Sequence, residues 1–190
     1  MMTSSIRSSL MRVAAPVVLA ATLLLPTSLM ATTGTVHAAP THSQSTALKW
    51  ITYSAATKTA HLTLISAYGV DSYNFNGGTK GKFVVKVPVG TKVVVTYANM
   101  SAIMPHGAEI VRWTGSLPTG VAPPPAFAGA ASPNYRRGTP KGITQTFTFT
   151  AGKAGKYLII CPVKNHVKFG HWAWLIVSKT ATKATAVVNA

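Results

Sequence analysis

The stretch Tyr157-Leu-Ile-Ile-Cys161-Pro-Val-Lys-Asn-His166-Val-Lys-Phe-Gly-His171-Trp-Ala-Trp-Leu-Ile-Val177 decides how the chain is read. Two runs of aliphatic, β-branched and aromatic residues flank a short polar turn, the pattern of strand, loop, strand. The turn carries Cys161, the only cysteine, and two of the six histidines, His166 and His171. A soft thiolate with imidazoles nearby suits copper, zinc or a nucleophilic thiol. One more histidine, His106, stands far upstream in Met104-Pro-His-Gly107, where a loop enters another strand-like run. Strands gathered at one end of a β-sandwich would set it beside the loop.

Working outward, period-two alternation recurs. It marks strands from Lys49 to Ser54, through Thr59-Ala-His-Leu-Thr-Leu-Ile-Ser66, and in Thr144-Gln-Thr-Phe-Thr-Phe-Thr150. Two β-branched runs in Lys82 to Asn99 are split by Pro88-Val89-Gly90, and Pro88 ends the first run or places it at an edge. His61 lies inside a strand with no other histidine or cysteine near it in sequence, so it is read as structural. From Thr114 to Gly142 the pattern lapses into Pro, Gly and Ala; a loop of roughly 30 residues is longer than an ordinary connection and is either a functional cover or a tolerated insertion. With about seven or eight strands and no amphipathic helix, the expected fold is an all-β antiparallel sandwich.

The first 38 residues read as a secretory signal: Arg7 and Arg12, an apolar run from Val13 to Met30, and a small-residue site ending near Ala38 or Ala39. An uncleaved anchor is the competing interpretation, opposed by Pro16 and Pro26 inside the run. Residues 39–48 follow as a flexible leader, 49–178 as one domain, and 179–190 as a polar tail expected to fray.

Charge narrows the setting. The chain has 18 Lys plus Arg against 2 acidic residues, Asp71 and Glu109, for a formal charge of +16. Discarding carboxylates makes sense where they would be protonated anyway, near or below pH ~4. A polyanion partner also fits strong positive charge. The lysines, however, are scattered singly, and an exported chain leaves nucleic acid behind. A lone cysteine in an oxidising space has no internal disulfide to make, so it is either bound to something or buried and inert.

Taken together, the Pro105-His106 loop, then Cys161, four residues, His166, four residues and a closing ligand position resemble the cupredoxins, the type 1 copper proteins. Within them the resemblance is greatest to the rusticyanins and sulfocyanins, the blue-copper carriers of acidophiles, and to a cupredoxin associated with their terminal oxidase. It covers roughly residues 81–177 and includes Val87-Pro-Val-Gly-Thr-Lys-Val-Val-Val95. The resemblance implies a cupredoxin-like fold, one copper cycling between Cu(I) and Cu(II), and His106, Cys161 and His166 as the three strong ligands. It also implies an electron carrier in a respiratory chain, periplasmic or otherwise extracytoplasmic, with a c-type cytochrome or terminal cytochrome oxidase as redox partner. Membrane contact would follow only if the N-terminal segment is retained.

The chain departs from the family pattern twice. Those relatives place methionine where His171 stands, although Met100 and Met104 precede His106. Imidazole is a stronger donor than thioether and favours Cu(II), so ligation by His171 implies a lower potential and a more tetrahedral site. A protonated His171 turned away, or a His171 bonded behind the ligands, are the competing roles. Gly107 also replaces a polar residue, which puts the family's bracing hydrogen bonds at that loop in question. Ile103, Pro105, Pro162, Val163 and Phe169 are expected to shield the metal, and Trp172 and Trp174 to pack rather than relay electrons.

Other chemistries are weaker. A cysteine hydrolase would have only Asp71 or Glu109 to orient its base, and no helix N-terminus to activate the thiol. Structural zinc usually takes more cysteine. An electron carrier predicts intense thiolate-to-copper absorption, a copper-binding accessory or chaperone for an oxidase predicts tight binding with slow electron exchange, and a metal-free envelope-binding sandwich predicts neither.

Overall fold

A computed structural model describes residues 50–190, so the expected signal peptide over 1–38 and leader over 39–48 lie outside the described residues. Nine strands follow one another: β1 (Ile51–Ser54), β2 (Thr59–Ser66), β3 (Phe83–Pro88), β4 (Thr91–Asn99), β5 (Glu109–Arg112), β6 (Thr144–Ala151), β7 (Gly155–Ile160), β8 (Trp172–Ser178) and β9 (Thr185–Val188). No helix occurs among the described residues. One sheet has the order β1-β2-β4-β6 and the other β5-β7-β8-β3-β9. Alternation dictates the faces: Phe83, Val85 and Val87 of β3, Val93, Val95 and Tyr97 of β4, and Ala173, Leu175 and Val177 of β8 point into one core between the sheets. Burying each of the larger of these side chains contributes about 1.5–3 kcal/mol, which is why the register of both sheets is fixed.

The all-β sandwich is as expected, but its sheets are mixed rather than purely antiparallel. β2 lies parallel to β4 and β3 parallel to β8. Gly90, at φ +82°, turns the chain from β3 in one sheet to β4 in the other. The Pro88-Val89-Gly90 break is therefore a corner between sheets and makes no hairpin.

The tail needs correction. Instead of fraying after Lys179, the chain forms β9, which pairs antiparallel with β3 from Phe83↔Val188 to Lys86↔Thr185. Without it, β3 would present a free row of N–H and C=O groups at the sheet edge. Four residues of modest hydrophobicity suffice because an existing strand templates them.

A second apolar cluster covers the outer face of the five-stranded sheet. Val111, Leu158, Ile160 and Val167 are its buried members, with Trp113, Leu117, Ala122, Trp172 and Trp174 packed against them. Trp172 and Trp174 meet edge to face with centroids 5.4 Å apart, and Trp113 meets Trp174 at 5.2 Å, so the tryptophans pack as expected, though outside the main core. The long loop reaches this side through Leu117 and Ala122 and then runs along the open edge of β5. Ala126 N–H donates to the Ile110 carbonyl, Ile110 N–H to Ala130 and Ser132 N–H to Ala108.

Glu109 shares the outward side of β5 with Val111, yet its side chain is fully buried and neither carboxylate oxygen has a hydrogen-bond partner. Burial pushes its carboxyl up to about 7, with the Arg136 guanidinium opposing the shift. Between its ordinary value of 4.5 and about 7 the folded chain holds a proton that the unfolded chain has released. Stability from this group is thus fully present below pH ~4.5 and is lost as pH rises through ~7. The shift corresponds to about 3 kcal/mol. Guanidinium unfolding of wild type and Glu109→Gln at pH 4, 6 and 8 isolates the effect from the histidines, and the wild type should lose that amount relative to the variant. A stability difference that stays flat with pH would show the carboxyl to be unperturbed.

Candidate metal centre

Two loops at one end of the sandwich build the centre, and backbone bonds close each of them. At the end of β7, Cys161 N–H donates to the His171 carbonyl at 3.1 Å, His171 N–H to His166 at 3.0 Å, and His166 N–H to Val163 at 3.1 Å. Asn165, in the left-handed region at φ +69°, tightens the turn. Lys80 N–H and the Thr79 hydroxyl both donate to the Gly170 carbonyl, pinning the loop to the segment ahead of β3.

The His106 loop is held from behind by Asn99, the last residue of β4. Its Nδ2 donates to the Met104 and Thr139 carbonyls at 3.0 and 2.8 Å, and its Oδ1 accepts from Ser101 N–H at 2.9 Å. His106 and Thr139 exchange both backbone bonds, so the C-terminal part of the long loop acts as a brace for the histidine. Gly107 N–H then donates to Cys161 Sγ at 3.3 Å. The bracing that its lack of a side chain had put in question is supplied by its backbone. A Cβ at Gly107 would come 2.2 Å from the Tyr135 carbonyl oxygen, so only glycine fits.

The fold thus brings all four sequence-predicted residues together. His106 Nδ1 and His166 Nδ1 lie 3.7 and 3.3 Å from Cys161 Sγ and 3.1 Å from each other. With one ring nitrogen of His171, the four donor atoms lie within 4.8 Å of one another. Cys161, His106 and His171 are fully buried, and His166 is 7% exposed. Three donors about 2.1 Å from a shared ion and spread evenly around it would lie about 3.6 Å apart, close to what is seen. His171 Nδ1 is buried without a hydrogen-bond partner, an arrangement that costs about 1–3 kcal/mol unless something satisfies the atom.

The electrostatics suit a metal better than a nucleophile. Burial, assisted by the neighbouring His166, lowers His106 to about 4. Burial also lowers His166, and it lowers His171 further, with His106 and His166 adding to the effect on His171 and the Asn74 carbonyl opposing it. Neutral imidazoles offer lone pairs. The Cys161 thiol is pushed up to about 12 by burial, only partly offset by the Gly107 and Val163 N–H groups, whereas a nucleophilic cysteine needs a lowered pKa. Neither acidic residue orients a histidine: Asp71 accepts from Tyr73 N–H at 2.8 Å, and the Glu109 oxygens have no partner.

The expected shield is corrected in part. Pro162 is buried and Val163 half-buried, but Pro105 is exposed, as are Ile103 at 79% and Phe169 at 50%. The close cover is aromatic and comes from the segment between β2 and β3. Tyr73 stands edge-on to His166 at 5.2 Å and touches Phe169 at 5.0 Å, while the Phe75 ring lies 4.4 Å from His171. The signal for this cover in the sequence is the alternation of Tyr73 and Phe75 with Asn74 and Asn76 ahead of the Gly77-Gly78 turn.

A family model described as the Sulfocyanin (SoxE) domain matches residues 45–188. The chain belongs to this family. The sulfocyanin of Sulfolobus acidocaldarius is 30% identical over 147 residues, covering 72% of this chain and 72% of that protein. A crystal structure of a rusticyanin variant superposes with a TM-score of 0.50 at 19% identity, over 68% of this chain and 87% of that one, a likeness of fold. Rusticyanin from Thiobacillus ferrooxidans gives a TM-score of 0.47 at 21% identity over 64% and 78%. As a sulfocyanin-family member, the protein is a blue copper electron-transfer protein with one copper as its cofactor. The donor cluster, one sulfur and three imidazoles, fits that ion by softness and number.

Proposed function

We propose that this protein carries single electrons in a respiratory chain on the outer side of the membrane of an acidophile, with His106, Cys161 and His166 as strong copper ligands and His171 as the fourth. The observation that carries this is the convergence of four buried donor atoms within 4.8 Å. Bound there, copper supplies a one-electron Cu(I)/Cu(II) couple. The residues contribute rigidity: strands β4, β5, β7 and β8 and the Thr139 brace hold the donors, which leaves little to rearrange when the charge changes. An acidic working space agrees with a chain carrying 2 carboxylates and with Glu109, whose burial is least costly in acid.

His166, the least buried donor, gives the path to a partner, a c-type cytochrome or terminal oxidase. Met100, Ile103, Val121 and Phe169 are exposed on loops at or near the ligand-bearing segments. Leu117, Pro118 and Ala122 of the long loop and Ile160, Pro162 and Val167 around the ligand loop line an open pocket of about 320 Å³. Contact through apolar surface would tolerate acid, where carboxylate pairs are lost.

The test joins spectrum to kinetics. Copper-loaded protein should show an intense thiolate-to-copper band, and stopped-flow mixing with a reduced c-type cytochrome should give second-order exchange of about 10⁵–10⁷ M⁻¹s⁻¹. Ile103→Ser with Phe169→Ser should slow that exchange about tenfold without moving the band, as loss of about 1.4 kcal/mol of docking energy would. Tight copper binding with no exchange would indicate an accessory protein that delivers the metal.

A further inference from the structure

Along β2 the inward positions are Ala60, Leu62, Leu64 and then Ser66. A fully buried hydroxyl at the end of an apolar row is costly unless it is bonded. Ser66 Oγ lies 3.1 Å from His171 Nε2 and 2.9 Å from Tyr97 Oη. All three side chains are fully buried. They come from three separate places in the chain: the end of β2, the last third of β4 and the loop before β8. The Ser66 backbone is fixed as well, since its carbonyl accepts from Met100 N–H at 3.0 Å and the residue bridges to Phe75.

A neutral imidazole has one N–H and one lone pair, and whichever nitrogen donates determines which can bind a metal. A hydroxyl at Nε2 can accept that N–H. The lone pair then falls on Nδ1, the atom that His106 and His166 also turn toward Cys161. The Asn74 carbonyl lies close enough to the His171 ring to favour its protonation but makes no hydrogen bond to Nδ1, whereas Nε2 has its bonded partner in Ser66.

We propose that Ser66, held in turn by Tyr97, is a positioning residue that keeps the His171 proton on Nε2 and its lone pair on Nδ1, presenting His171 to copper as the fourth donor. This rests on the four-residue copper site proposed above. It also explains why a histidine works at a position where the related rusticyanins and sulfocyanins use methionine: thioether needs no tautomer, whereas imidazole needs a fixed one.

The experiment is a cycle on the full chain loaded with copper, comparing wild type, Ser66→Ala and Tyr97→Phe, each with and without His171→Met. Visible and electron paramagnetic resonance spectra, Cu(II) affinity by chelator competition and the unfolding midpoint of the metal-free form are the readouts. Ser66→Ala should weaken Cu(II) binding about 10–100-fold and move the spectra toward those of His171→Met. Tyr97→Phe, which keeps the Ser66 contact, should shift them less in the same direction. In the His171→Met background both substitutions should leave spectra and affinity unchanged, a result that a merely structural role would not give. Spectra and affinity unmoved by Ser66→Ala, or moved equally in the His171→Met background, overturn the role of Ser66. Wild type that binds copper without a thiolate band overturns the site itself, and the positioning role with it.

Discussion

Gly107→Ala is expected to destabilise the protein by about 3 kcal/mol or more, the upper end for overpacking, and to cost it the wild-type copper spectrum. The new methyl would meet three backbone atoms of Tyr135, at 2.2, 3.0 and 3.1 Å. No side-chain rotation relieves such contacts, so one backbone must move by about an ångström. The Tyr135 side is tied down: its N–H donates to Ser132, Ser132 N–H donates to Ala108, and Arg137 N–H donates to Asn134. The 106–108 segment is held as well, by the His106–Thr139 pair and the Ser132–Ala108 bond, but a shift on this side is the one that reaches the site. Its displacement withdraws the Gly107 N–H from Cys161 Sγ and carries His106 out of reach of the sulfur. Copper affinity should fall about 10–100-fold, as when a group that orients a metal ligand is lost. Gly152→Ala is the control, because nothing lies within 4 Å of the added methyl, and it should change stability by no more than about 0.5 kcal/mol. Denaturation and copper titration of the two variants check this directly. A Gly107→Ala protein with wild-type stability and spectrum would mean that the His106 loop has slack the structure does not show.

What the sequence revealed, and what it hid, divides along physical lines. Alternation in Thr59–Ser66 and Thr144–Thr150 made those strands and their inward faces legible, because period two is a local property, whereas the almost continuous apolar runs of Thr91–Asn99 and Trp172–Ser178 marked strands without showing which face turns inward. The joining of His106 to Cys161 and His166 was legible from residue chemistry together with a family-like spacing. Parallel pairing of β2 with β4 and of β3 with β8 was not, since a strand alternates in the same way whichever direction its neighbour runs. β9 was hidden because Thr185-Ala-Val-Val188 is a strand only by virtue of the open edge of β3. Ser66 and Tyr97 were hidden because their significance depends on a contact between sheets, with Ser66 and His171 separated by 105 positions. Asn99 looked like the end of a strand, and its role as a three-bond clamp appears only once Met104 and Thr139 fold back on it. In Glu109 the sequence showed a rare carboxylate, but its burial follows from the long loop lying across β5.

His171→Met should raise the reduction potential substantially while leaving the fold nearly as stable as before. The two halves of that expectation have different causes. On the packing side, the imidazole is fully buried with its centroid 4.4 Å from Phe75. Methionine is flexible and similar in bulk, and its sulfur sits well against an aromatic ring, so the packing cost should stay below about 1.5 kcal/mol. Ser66 loses its histidine partner but keeps the bond to Tyr97 at 2.9 Å, so no buried hydroxyl is orphaned. On the metal side, an imidazole donor stabilises Cu(II) relative to Cu(I), and a long thioether contact does so far less. Each tenfold change in that preference moves a one-electron potential by about 59 mV, so a hundredfold change raises it by about 120 mV. The spectrum should move at the same time toward that of a trigonal three-donor site. Burial holds His171 neutral well below the usual imidazole range, so in the wild type the contribution of His171 should persist into acid. Protein-film voltammetry of both proteins from pH 3 to 7, with paramagnetic resonance of the oxidised forms, provides the measurement. If potential and spectrum are the same for both, His171 is not a ligand and the copper is held by His106, Cys161 and His166 alone. If they differ near neutrality and converge in acid, His171 is a ligand that protons displace, and the burial of its ring protects it less than its surroundings imply.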